Sequence, residues 1–99
     1  MSLNKQQIHY LRTKAHDLKP VVIVGQAGLH EKVQHEIQLA LDHHELIKVR
    51  LPATKEKPQM ITQILEQTQA SLVQKIGHIL IIFLVKKEDS SFSALKKMS

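Results

Sequence analysis

Apolar residues along the chain fall into two alternating rhythms. Ile8, Leu11, Ala15 and Leu18 recur at intervals of three and four, which is one stripe of a helix over about 3–17. Asn4 or Ser2 is placed to cap its start. Pro20 ends it, because proline disfavours helical backbone at the preceding Lys19. The β-branched run V-V-I-V (21–24) has no alternation and reads as a strand buried on both faces, hence central and parallel to a neighbour. After G-Q-A-G (25–28), Leu29, Val33, Ile37, Ala40 and Leu41 predict an amphipathic helix over about 29–44. Its last turn carries His43 and His44, where positive charge suits the helix dipole.

The remaining elements follow in the same way. E-L-I-K-V-R-L (45–51) alternates: Leu46, or Ile47, Val49 and Leu51 in register, faces inward, while Lys48 and Arg50 face the other way. This predicts a half-exposed strand with two cations. P-A-T-K-E-K-P (52–58) reads as a mobile loop, and Pro58 suits the first turn of a third helix. Ile61, Ile64, Leu65 and Thr68 mark that helix's inner face. S-L-V-Q-K-I (71–76) and I-L-I-I-F-L-V (79–85) flank Gly77-His78 as two strands of a hairpin. The polar residues after Lys86 predict a frayed tail. The order α-β-α-β-α-β-β implies a layered α/β domain with a four-stranded mixed sheet, at least one parallel pair and right-handed β-α-β connections.

Length and composition set bounds on this picture. The chain has 99 residues, one domain's worth over 1–99, with its core over about 3–86 and a tail over 87–99. There is no cysteine, which removes disulfides, thiolate metal sites and thiol nucleophiles. The opening residues alternate polar and apolar, so they do not read as a secretory signal. The run 79–85 is too short for a bilayer, which takes about 20 residues. A soluble cytoplasmic monomer is the expectation.

Charge narrows the function classes. Fourteen Lys and Arg oppose nine Asp and Glu, a net charge of +5 with a pI near 9.6. Such a balance favours polyanions, nucleic acid ahead of an anionic membrane. No segment joins a basic face to a large apolar face free of the core, which places a membrane surface last. On the first helix, Lys5, His9, Arg12 and His16 form a basic row about 110° around the axis from the apolar stripe. A row of this kind is either an ordinary solvated face or a track for phosphates.

G-Q-A-G sits where a strand hands over to a helix. The first helical N–H groups lack intrahelical partners and carry the positive end of the dipole. Glycines let an anion approach the backbone closely. Gly25, Gln26, Ala27 and Gly28 are therefore a candidate phosphate site, with Lys32 adding a full charge one turn on. A tight strand-to-helix turn uses glycines as well. The Walker lysine and the third glycine of the dinucleotide fingerprint are missing, so a bound nucleotide cofactor is not expected. His30 and His35, five apart, splay on a helix, and His43 and His44 are adjacent, so no pair has metal-ligand spacing. No serine lies in a nucleophile elbow, and Glu31 and Glu36 read as solvated charges. Neither a metal, a cofactor nor an enzymatic activity is called for.

The blocks L-K-P-V-V, G-x-x-G-L, H-E-L-I-K-V and the I-G before the last strand occur here in one order over about residues 3–85. Together they resemble the CRM domain family (chloroplast RNA splicing and ribosome maturation), most closely its single-domain bacterial, YhbY-type branch. The resemblance implies a fold similar to the C-terminal domain of translation initiation factor three. It also implies RNA binding through the loop at Gly25 and Gly28, a role for Lys48, and a part in assembly of the large ribosomal subunit. Relatives commonly end the last strand with an aromatic-arginine pair; here Phe83 is followed by Leu84, with Lys86 and Lys87 as the nearest cations.

These readings combine into a two-part RNA surface: the G-Q-A-G loop holding one phosphate, and the Lys5, His9, Arg12, His16 row tracking others. Tyr10, Phe83 and Phe92 are too few for base stacking to dominate, so affinity should depend strongly on salt and specificity on RNA shape. Structured ribosomal RNA fits that chemistry. The competing reading is a protein-interaction module that docks a ribosomal protein through the Lys48 and Arg50 face.

Overall fold

The computed structural model describes residues 2–98. The first helix, α1 (Lys5–Ala15), is started by Asn4. The Asn4 side chain accepts from the Gln7 N–H at 2.8 Å, and the Gln7 side chain accepts from the Asn4 N–H at 2.9 Å. This reciprocal box satisfies two donors that the helix cannot. The buried face is Gln7, Leu11 and Ala15. Leu18, expected on the inner stripe, lies past the helix end and is 39% exposed.

Two short connections then build a parallel pair. β1 (Val22–Ile23) lies beside β2 (Leu46–Arg50), with α2 (Glu31–His44) between them in sequence. The helix α3 (Lys57–Thr68) leads into β3 (Ser71–Ile76) and β4 (Ile79–Phe83), which form an antiparallel hairpin. Gly77 takes a φ of 57° at the first position of the two-residue turn, as a primed hairpin turn requires. The sheet order is β1-β2-β4-β3, with β2 antiparallel to β4. The mixed four-stranded sheet is the one expected.

The sheet is covered on both faces. Val22, Val24, Ile47, Val49, Leu80 and Ile82 pack with Val33, Ile37 and Leu41 of α2 and with Met60 and Ile64 of α3. On the other face, Leu46, Val73, Ile81 and Phe83 pack with Leu11 and Ala15 of α1 and with Leu95. The alternation along β2 therefore serves two cores: Leu46 belongs to one, Ile47 and Val49 to the other.

Two expectations are corrected. β1 is an edge strand, and Val21 and Ile23 are 51% and 65% exposed. Helix α1 packs mainly on β2 and β3, which leaves Ile23 on β1's outer face open to solvent. An uninterrupted β-branched run marks a strand, but it does not tell which faces are covered.

The tail is also docked rather than frayed. Its 3₁₀ helix (Ser93–Met98) buries Leu95 to 1% exposure, and Phe92 meets Phe83 edge-on at 5.2 Å. Gln7 and Asn4 donate to the carbonyls of Leu95 and Met98 at 3.0 and 2.8 Å. Phe92, Leu95 and Met98 recur every third residue, the period that aligns one face of a 3₁₀ helix.

Glu45 fixes the tail's approach. It links α2 to β2 at a φ of 64° and is 1% exposed. Its carboxylate accepts the N–H of Lys86 at 2.9 Å, the hydroxyl of Ser90 at 2.6 Å and the N–H of Ser91 at 2.8 Å.

Candidate functional site

The G-Q-A-G segment is a closed turn. The Gly28 N–H donates to the Gly25 carbonyl at 3.0 Å, leaving Gln26 and Ala27 exposed at the tip. Helix α2 begins at Glu31, two residues later than expected, because the His30 N–H first turns back to the Gly28 carbonyl at 3.1 Å. No side chain caps α2, so its first N–H groups point outward with the dipole behind them. Among the described residues, the N–H groups of Gln26 and Ala27 also have no acceptor. Lys32 is exposed on the first turn of α2.

The two glycines differ in what requires them. Gly28 has a φ of 84°, in the left-handed region, and a Cβ there would lie 3.6 Å from the Met60 methyl. The turn itself therefore calls for glycine at this position. Gly25 lies outside that region, and a Cβ there would meet nothing within 4 Å. Neither backbone strain nor packing inside the chain calls for glycine at 25. Its effect is a bare backbone facing solvent.

The structure separates the two halves of the expected surface. Lys5, His9, Arg12 and His16 are all exposed along α1. His9, Arg12 and His16 line a shallow groove with Thr13, Asp17 and Gln74 of β3. The row thus opens toward the β3 edge, whereas the glycine turn leaves the β1 edge; β2 and β4 lie between. Adjacency in sequence on either side of β1 does not place them together.

The neighbours of the turn come from elsewhere. The Val24 N–H donates to the Arg50 carbonyl at 2.8 Å, which seats exposed Arg50 beside the turn. The Leu51 N–H donates to the His78 carbonyl at 2.7 Å, which brings the β3–β4 turn to the same sheet end. There the Lys57 ammonium meets the Gly77 carbonyl at 3.3 Å and His78 Nδ1 at 2.7 Å. Lys57 and His78 were not singled out by sequence reasoning. Their pairing depends on strand order, and the only sequence signal was the lysine-bearing 52–58 loop.

Lys48 has a different position from the other cations. Its ammonium donates to the Leu18 carbonyl at 2.9 Å and approaches the His16 carbonyl at 3.5 Å. It is half-buried and closes the end of α1, where a cation meets the negative pole of the helix. Position 84 lies off the far end of β4, across the sheet from the turn. Leu84 packs against the α2–α3 core, so an arginine there would not join the turn's surface.

Aromatic faces are not on offer. Phe83 is buried, Phe92 packs on it, and Tyr10 is half-buried with Lys14 5.5 Å above its ring. Among the described residues, no three His, Cys, Asp or Glu side chains converge as a metal site requires, and no helix is long and apolar enough to cross a membrane.

Comparison with known proteins gives the family and the fold. The model of the CRS1 / YhbY (CRM) domain matches residues 3–83. A Haemophilus influenzae protein named "RNA-binding protein" is 45% identical, covering 88% of this chain and 90% of its own length. "Probable RNA-binding protein YqeI" of Bacillus subtilis is 32% identical, covering 88% and 93%. The solution structure of the Staphylococcus aureus protein SAV1595 superposes with a TM-score of 0.76 at 32% identity, covering 90% of this chain and 95% of the other.

Proposed function

The chain belongs to the CRS1 / YhbY (CRM) domain family, and from that premise we propose that it is a non-enzymatic RNA-binding protein whose glycine turn receives a backbone phosphate. The observation that carries this reading is Gly25, a glycine the fold does not require, at a turn with free N–H groups beside an uncapped helix start. Arg50, Lys32 and the Lys57–His78 pair supply charge around it, and the α1 row supplies a second, separate stretch. The relatives named for RNA binding support the choice of ligand. With no aromatic face free, recognition rests on backbone and shape, which suits structured ribosomal RNA. We place its work in the cytoplasm, as a monomer, on large-subunit precursors.

A second reading has one observation in its favour. The register Ile23–Arg50–Ile79–Ile76 runs across the uncovered end of the α1 face, and Ile23 and Ile76 are 65% and 54% exposed. Apolar ground around one arginine suits a protein partner.

The test is binding to a structured large-subunit RNA fragment across a salt series. Gly25→Glu is the informative variant, since its side chain enters open space and leaves the fold intact, whereas any change at Gly28 strains the backbone. Gly25→Glu should lose at least about tenfold in affinity, about 1.4 kcal/mol. Unchanged affinity in a folded variant would remove the phosphate role from the turn and favour the protein partner.

A further inference from the structure

A cavity of about 320 Å³ opens directly beside the glycine turn. Ala27, Gly28 and Leu29 form one wall; Glu56, Gln59, Met60 and Gln63 form the other. We propose that this cavity receives a single unpaired nucleobase that carries an exocyclic amino group, while the adjacent turn holds that nucleotide's phosphate. The proposal rests on the RNA reading above and adds a sequence preference to it.

The lining selects this occupant. Residues 56, 59, 60 and 63 fall on one stripe of the α3 end, so their side chains meet on the side facing the turn. Met60 is 8% exposed and packs under Gly28, giving an apolar floor with a polarizable sulfur for an aromatic ring. Glu56, Gln59 and Gln63 are exposed, and among the described residues their side chains make no hydrogen bond. They stand ready as a hydrogen-bonding rim. The carboxylate of Glu56 repels a phosphate, so the backbone belongs on the glycine turn and not in the cavity. An ionised carboxylate only accepts hydrogen bonds, and glutamine amides both donate and accept. Adenine, cytosine and guanine each offer an amino group to that rim. Uracil offers two carbonyls flanking one N–H, which face the carboxylate unfavourably.

This arrangement separates two kinds of contact that a salt series distinguishes. Phosphate contacts set the salt slope, and base contacts set discrimination without changing it. The experiment uses RNA hairpins identical except for one bulged nucleotide: adenosine, cytidine, guanosine, uridine or an abasic site. The wild type should prefer the amino-bearing bulges over uridine and the abasic site by about tenfold, the scale of one good base contact. Gln59→Ala, Gln63→Ala and Glu56→Gln should each shrink that preference several-fold, and the two neutral glutamine changes should leave the salt slope unchanged. All three positions are exposed, so circular dichroism should report an intact fold.

Two results overturn the proposal and are distinct from each other. If the wild type binds every hairpin equally, the RNA reading stands and the base pocket falls. If it binds none of them, both fall together. A second measurement needs no RNA fold. Adenosine and cytidine monophosphates should shift the side-chain amide NMR signals of Gln59 and Gln63, while ribose 5-phosphate leaves them in place. Equal shifts with ribose phosphate would mark a phosphate site and refute the base assignment.

Discussion

Replacing Glu45 by glutamine tests the junction that joins α2, β2 and the tail. The carboxylate accepts three hydrogen bonds from Lys86, Ser90 and Ser91 within 2.6–2.9 Å, and the residue is 1% exposed. Hydrogen bonds to a charged group are worth about 1.5–3 kcal/mol each. Glutamine keeps one acceptor oxygen and turns an NH₂ toward the remaining donors, which leaves at least one of them unmatched. A loss of about 2–3 kcal/mol follows, out of roughly 5–15 kcal/mol for a domain of this size. In a thermal melt this is a fall of roughly 10–20 °C.

The dependence on pH gives the sharper check. Burial alone pushes the Glu45 carboxyl up. The Ser90 hydroxyl, the Lys86 and Ser91 N–H groups and the Lys86 charge outweigh it and hold the group below its ordinary value of 4.5. A carboxylate lowered on folding stabilises the protein above the unfolded pKa, and that contribution is lost as pH falls through the folded pKa. The gap between wild type and Glu45→Gln should be full at pH 7 and close progressively below about pH 4. A drop under about 3 °C at pH 7, or a gap that stays constant down to pH 3, would refute the account of the carboxylate as a charged clamp.

Three further variants test the packing and the placement of the cations. Leu95→Ala should cost about 2–4 kcal/mol in urea unfolding, since the side chain is fully buried between α1 and the sheet. Amide exchange in the first turn of α1 should rise with it, because Asn4 and Gln7 are bound to the same tail. Lys48→Met should lower stability by about 0.5–2 kcal/mol while leaving the salt slope of RNA binding unchanged. Arg50→Gln should do the reverse, reducing the slope by about one and leaving the melt unchanged.

Local rules located most elements and the glycine turn. Spacing in 29–44 and the alternation in 45–51 identified α2 and β2, and Gly77-His78 identified the hairpin, because each signal is written in neighbouring residues. Helix α2 starts two residues later than its spacing predicts, because the His30 hydrogen bond to Gly28 is invisible in a periodicity. Burial by elements distant in sequence was not legible. V-V-I-V gave a strand, but the edge position of β1 depends on strand order, and its exposed face on where α1 lies. The polar composition of 87–98 concealed a docked segment whose partners, Gln7, Asn4 and Glu45, come from the other parts of the chain.

The candidate site divides along the same line. The sequence alone determined that a turn with Gly25 and Gly28 precedes a helix in a basic domain, since backbone freedom and charge are properties of the residues themselves. The tertiary structure decided which cations attend it. Strand order brings Arg50, His78 and Lys57 to the turn, carries the α1 row to the other flank, and turns Lys48 inward onto the carbonyls that follow α1. It also decided that only one of the two glycines is required by the turn's own geometry. That distinction exists only once φ and the surrounding atoms are known, because glycine's identity gives no sign of whether a Cβ would meet the protein or open space.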